Sequence, residues 1–130
     1  MDLIRAPKAP PAGGHFSHAV VHGGLVFVAG QLPIDPANPK APPGTIEQQT
    51  ERALANVAAI LEAAGSGLDR VLQMTIYVSD IELWSAVNQV YARVMGSHRP
   101  ARAIVPVKEL HYGYQIEIQA IGAVKDGIAD

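Results

Sequence analysis

The chain has 130 residues, 48% of them hydrophobic and 17% charged, with a formal net charge of -2 and no cysteine. That length suits one domain around one core, and the balance is globular rather than disordered. The missing thiols exclude disulfides, thiolate nucleophiles and thiolate metal sites, and the scattered basic residues form no electrostatic footprint for nucleic acid.

Residues 1–12 read as a proline-rich arm, with Pro7, Pro10 and Pro11 among small residues and no apolar run suited to a signal peptide. No later run approaches a membrane span, so the expectation is a soluble, cytoplasmic protein with a single domain over 1–130. His18 to His22 and Leu25 to Ala29 form two strands joined by Gly23-Gly24, a pair that supplies the positive backbone angles of a tight hairpin. A proline-rich loop from Pro33 to Pro43 then leads to Thr45, whose spacing to Gln48 is that of a capping box. Ile46, Thr50, Ala53, Leu54, Val57, Ile60, Leu61 and Ala64 recur at helical spacing until Gly65 stops the run.

From Val71 to Ser79, Leu72, Met74, Ile76 and Val78 alternate with Gln73, Thr75, Tyr77 and Ser79, the period of a strand. Asp80 is placed to cap a second helix whose apolar stripe is Trp84, Val87, Tyr91, Val94 and Met95, closed by Gly96. Two more strands follow, Ala101 to Val107 and Gln115 to Val124, and a short tail occupies 125–130. The predicted order is β-β-α-β-α-β-β, an α/β (α+β) architecture. Both helices cover one face of the sheet, and the other face carries Gln73, Thr75, Tyr77, Gln115 and Gln119 among apolar residues. Mixed faces of this kind meet another subunit, so a homo-oligomer is expected.

Each of the last two strands contains one charge, Arg102 in the first and Glu117 in the second. In the second, Ile116, Ile118 and Ala120 alternate with Gln115, Glu117 and Gln119. In the first, Ala103, Val105 and Val107 share one side and Arg102, Ile104 and Pro106 the other, with Pro106 indicating an edge or bulge. Paired as a hairpin across Lys108 to Gly113, the strands set Arg102 opposite Gln119 and make Glu117 its diagonal neighbour, roughly 7 to 8 Å away. Two readings stay open from these residues: a structural salt bridge, or two groups of one site.

In order, Gly-His-Phe-Ser-His-Ala at 14–19, Val-Ala-Gly-Gln-Leu-Pro at 28–33, Leu-Glu-Ala-Ala-Gly at 61–65, Val-Asn-Gln-Val-Tyr at 87–91, Arg-Pro-Ala-Arg at 99–102 and Ile-Glu-Ile-Gln-Ala at 116–120 resemble the RidA (YjgF-like) family of reactive-intermediate deaminases, over about 13–124. The resemblance implies a chorismate-mutase-like fold with a mixed sheet, and a homotrimer with a cleft at each subunit interface. It also implies hydrolysis of small enamines and imines, such as 2-aminoacrylate and 2-iminopropanoate, to 2-oxo acids and ammonia without a cofactor. On it, Arg102 holds the substrate carboxylate, Glu117 activates water, and Gly30, Asn88 and Ile104 join the substrate-binding set. Phe16 and Ala29 stand where the family usually carries tyrosine and serine hydroxyls, which bears on substrate range or rate. His18 replaces the common glutamine and is either a polar contact near the cleft or a surface strand histidine.

The chemistry fits these residue types. A guanidinium holds a carboxylate through two parallel charge-assisted bonds, which lysine cannot match, and one carboxyl serves imine hydrolysis first as base and then as acid. Other readings weigh less. His15, His18 and His22 have no nearby carboxylate, and i and i+4 lie about 13 Å apart on a strand, too far to share a metal. Gly13-Gly14 and Gly65-Ser66-Gly67 lack phosphate-loop context and read as turns. RNA cleavage or translational inhibition, attributed to some members of the family, finds no aromatic platform or basic stripe. A protein that binds a metabolite carboxylate through Arg102 without turnover is the runner-up, although Glu117 gains nothing for pure carboxylate binding.

Overall fold

The computed structural model describes residues 1–125, so 126–130 of the predicted tail lie outside the described residues. Eight elements alternate along the chain: β1 (Asp2–Ile4), β2 (Ala19–His22), β3 (Leu25–Gln31), α1 (Ile46–Ala63), β4 (Val71–Val78), α2 (Trp84–Met95), β5 (Ala101–Pro106) and β6 (Ile116–Ala123). Short 3-10 turns precede β4, α2 and β6. The six strands form one mixed sheet in the order β1-β2-β3-β6-β4-β5, and the α/β (α+β) class read from the sequence is the one observed.

Local signals act as expected. Gly23 and Gly24, at φ 59 and 78, close the β2-β3 hairpin, and at α1 the Thr45 hydroxyl accepts from the Gln48 amide while the Gln48 side chain accepts from the Thr45 amide. Reciprocal bonds of this kind satisfy donors a bare helix start would leave open. Asp80 departs slightly from expectation: its carboxylate accepts from the Glu82 amide and caps the 3-10 turn Ile81–Leu83, which then runs into α2. In α2 the buried side chains are Val87, Val90, Tyr91 and Met95, whereas Trp84 and Val94 remain exposed. The core joins α1 side chains Ala53, Leu54, Val57, Ile60 and Leu61 to Met74 and Ile76 of β4 and Ile116 and Ile118 of β6.

Two topological expectations are corrected. The proline-rich arm begins as strand β1, paired antiparallel to β2, so the order is β-β-β-α-β-α-β-β. The second correction concerns the expected β5-β6 hairpin, which does not form. β5 instead runs parallel to β4, joined to it through α2, and β6 lies antiparallel between β3 and β4. A helix between two strands carries the chain back to the starting end, which makes the next strand parallel to the first. β6 has core residues along a whole face and takes the central place, leaving β5 with its Pro106 at the edge. The loop from β5 to β6 therefore steps across the end of β4, where the Val107 amide donates to the Val78 carbonyl and the Ser79 amide to the Gln115 carbonyl.

Candidate active site

The corrected register places Arg102 and Glu117 on opposite faces of the sheet. Arg102 pairs with Met74, a fully buried core residue, and so points to the helix side, whereas Glu117 pairs with Tyr77 on the open face. They are not diagonal neighbours, and the salt bridge between them is absent. Among the described residues the sole ion pair is the exposed Arg93–Glu51 contact at 3.1 Å.

Arg102 is held by neutral groups of α2. Its Nη1 donates to Asn88 Oδ1 at 2.7 Å, and its guanidinium carbon lies 4.8 Å from the Tyr91 ring centre and 5.6 Å from that of Trp84. Cation–π contact with Tyr91 and Trp84 and the bond to Asn88 fix the guanidinium plane without neutralising it. Arg102, Asn88 and Tyr91 line a cavity of about 500 Å³ with Gly96, Arg99 and Pro100. The Tyr91 hydroxyl is buried with no hydrogen-bond partner among the described residues, and burial holds its pKa up against the opposing pull of Arg102.

Glu117 faces a second cleft, of about 360 Å³, shared with Phe16, His18, Gly30, His111 and Tyr112. A β-bulge shapes it: Val28 pairs with Ala120 and Gln31 with Ile118, so Ala29 and Gly30 together oppose one residue of β6. Bulges re-aim a strand locally. The Gln31 amide holds this one by donating to the Ala29 and Gly30 carbonyls. A Cβ at Gly30 would stand 2.6 Å from Glu117 Oε2, so the missing side chain is what gives the carboxylate its place.

The remaining predicted residues divide clearly. His18 is buried, not on the surface: its Nδ1 accepts from the Ala6 amide at 2.8 Å and its Nε2 meets the Pro10 carbonyl at 2.7 Å. Both ring nitrogens are occupied in tying down the arm, Nδ1 as acceptor and Nε2 facing a carbonyl that can only accept. Phe16 is half-exposed on the cleft wall, Ala29 sits within the bulge, and Ile104 packs against the core beside Ile76. The sequence reading missed His111 and Tyr112, which lie in a loop with no strand or helix period to flag them.

Burial holds the Glu117 carboxyl above the ordinary glutamate range, and the nearby positive charge of His111 pulls the other way. The carboxyl thus stays protonated to higher pH than a free glutamate, as a group that gives as well as takes a proton requires. An NMR titration following the Glu117 side-chain carbon is expected to show a raised midpoint, moved further up in His111→Ala, where the opposing charge is gone. A midpoint within or below the ordinary range would remove this argument for proton transfer.

The chain is similar to known proteins along nearly its whole length. The family described as endoribonuclease L-PSP matches residues 6–124. A 2-iminobutanoate/2-iminopropanoate deaminase of Capra hircus is 40% identical over 119 residues, 92% of this chain and 87% of the relative. A RutC family protein of Pyrococcus abyssi is 40% identical over 120 residues, 92% of this chain and 94% of the relative. The crystal structure of a putative endoribonuclease from Thermotoga maritima superposes with a TM-score of 0.91 at 44% identity, covering 96% of this chain and 98% of that one.

Proposed function

Because the chain belongs to the RidA (YjgF, endoribonuclease L-PSP) family, we propose that it hydrolyses small 2-imino acids and their enamine tautomers to 2-oxo acids and ammonia. The observation that carries this reading is Glu117, a carboxyl held above its ordinary range in a cleft that a bulge and Gly30 keep open for it. Water attacks the carbon of the protonated imine as the Glu117 carboxylate takes a proton from the water, giving a neutral carbinolamine. The same carboxyl then returns that proton to nitrogen, and as the C–N bond breaks and ammonia leaves, the regenerated carboxylate takes the hydroxyl proton so that a C=O remains. Arg102 holds the carboxylate next to the imine and so fixes the carbon in reach of the water.

Within one copy these two groups lie on opposite faces, so in this reading Arg102 of one copy meets Glu117 of its neighbour. The open face suits that assembly, with Phe27 43% exposed beside Ile121 and the polar Gln73, Thr75, Tyr77 and Gln119 around them. A patch of this mixture is what a subunit interface uses, and the number of copies, three, comes from the family resemblance. Light scattering is expected to give a trimer. A monomer at micromolar concentration would take the shared cleft away with it.

The deciding assay is ammonia release from freshly generated 2-imino acids, compared with their spontaneous hydrolysis. The binding-protein reading is favoured by Phe16 and Ala29, which bring no hydroxyl to the site, and it predicts release no faster than the spontaneous rate. The family's description also keeps ribonuclease activity in view, and cleavage of a single-stranded RNA without imine turnover would favour it.

A further inference from the structure

Within one copy, before a neighbour contributes its Arg102, the Glu117 cleft is larger than a three-carbon imino acid needs. Its volume of about 360 Å³ falls within the range of pockets that enclose much larger ligands. Its walls are apolar and aromatic: Leu32 and Ile34 follow β3, Phe16 is 50% exposed, and Tyr112 is 65% exposed. Tyr112 stacks on His111, with ring centres 4.0 Å apart and planes within 4°. The two rings lie face to face, so His111 backs one face of Tyr112 and the opposite face is the one a ligand can meet. At φ 61, Tyr112 is also the one non-glycine residue among those described to hold a left-handed backbone. A bulky residue rarely adopts that conformation, and where one does it tends to stand at a ligand site.

An aliphatic side chain would gain only burial from these walls, whereas a planar ring can lie offset on the outer face of Tyr112, backed by His111, and meet the Phe16 ring as well. We infer that the cleft selects 2-imino acids bearing an aromatic side chain, with the ring against Tyr112 and Phe16 and the imine carbon at Glu117. This rests on the deaminase reading and adds a substrate class to it. The polar end of the substrate is unaffected, because Phe16 and Tyr112 stand on the wall and the carboxylate goes to Arg102.

The test compares kcat/KM for imines freshly generated by an amino-acid oxidase from phenylalanine, leucine and alanine. A preference for the phenylalanine-derived imine over the alanine-derived one of roughly tenfold or more is expected, with the leucine-derived imine between them. In Tyr112→Ala the ratio of aromatic to small substrate falls severalfold. A ratio near one, or a leucine-derived imine turned over as well as the aromatic one, overturns the substrate class while the deaminase reading stands. If no imine is turned over above its spontaneous rate, the deaminase reading fails by itself, and calorimetry with phenylpyruvate and pyruvate still decides the cleft. Clearly tighter phenylpyruvate binding, lost in Tyr112→Ala, supports the aromatic wall. Equal affinities overturn it.

Discussion

Arg102→Lys is expected to lower kcat/KM for carboxylate-bearing imines by about thirtyfold to a few thousandfold, the equivalent of roughly 2 to 5 kcal/mol for a desolvated charged contact. The effect is large because three features of the guanidinium are lost together. Its fork is replaced by a point charge, its plane no longer lies over Tyr91, and the bond from Nη1 to Asn88 Oδ1 has no equivalent at the same place. The fold should survive the change, since Arg102 is partly exposed and forms no ion pair with a carboxylate among the described residues. Steady-state kinetics together with a thermal melt separate the roles. Unchanged kcat/KM would make Arg102 a structural residue, and so would a variant that fails to fold.

That Arg102 and Glu117 do not meet within one copy is legible in the alternation of their own two strands. Arg102 shares its side with Ile104, and Glu117 alternates with Ile116 and Ile118. If the isoleucines mark the core side, the two charges belong on opposite faces. A β5-β6 hairpin conflicts with that pattern, because it sets Ile104 opposite Glu117 and so places a core residue on the polar side. Strand period is a local property and can be read from a short segment, whereas strand partners depend on the crossover through α2, which no short segment records.

The same division runs through the rest of the chain. Thr45 with Gln48, and Gly23 with Gly24, act within a few residues and are visible as pairs. β1 has three residues, of which Asp2 and Leu3 are exposed, too short a run to show a period. The sequence leaves His18 open between a polar contact near the cleft and a surface strand histidine, because its burial depends on Ala6 and Pro10 of an arm whose course the sequence does not reveal. At the bulge only Gly30 gives a hint, and its meaning, room for the Glu117 carboxylate, appears only when β3 and β6 are set side by side. Tyr112 gives none, because its left-handed backbone lacks the glycine that usually signals one.

Glu117→Gln is expected to lower kcat by roughly a hundredfold to ten-thousandfold, the usual contribution of a positioned general acid or base. The amide keeps the shape and a hydrogen-bonding oxygen but cannot move a proton, so binding of a stable 2-oxo acid should be little weakened. The pH profile adds an independent check. Burial raises the carboxyl's pKa, so the ionised form that takes a proton from water is lost, as pH falls, at a higher pH than for an ordinary glutamate. The wild-type acidic limb should therefore lie above the usual glutamate range and vanish from the residual activity of the variant. A protein that only binds would behave in the opposite way, with no turnover above the spontaneous rate and an affinity for carboxylates unchanged or improved once the negative charge is gone. Measuring kcat and 2-oxo acid affinity on the same two proteins separates these cases, and equal kcat in both would remove Glu117 from the reaction.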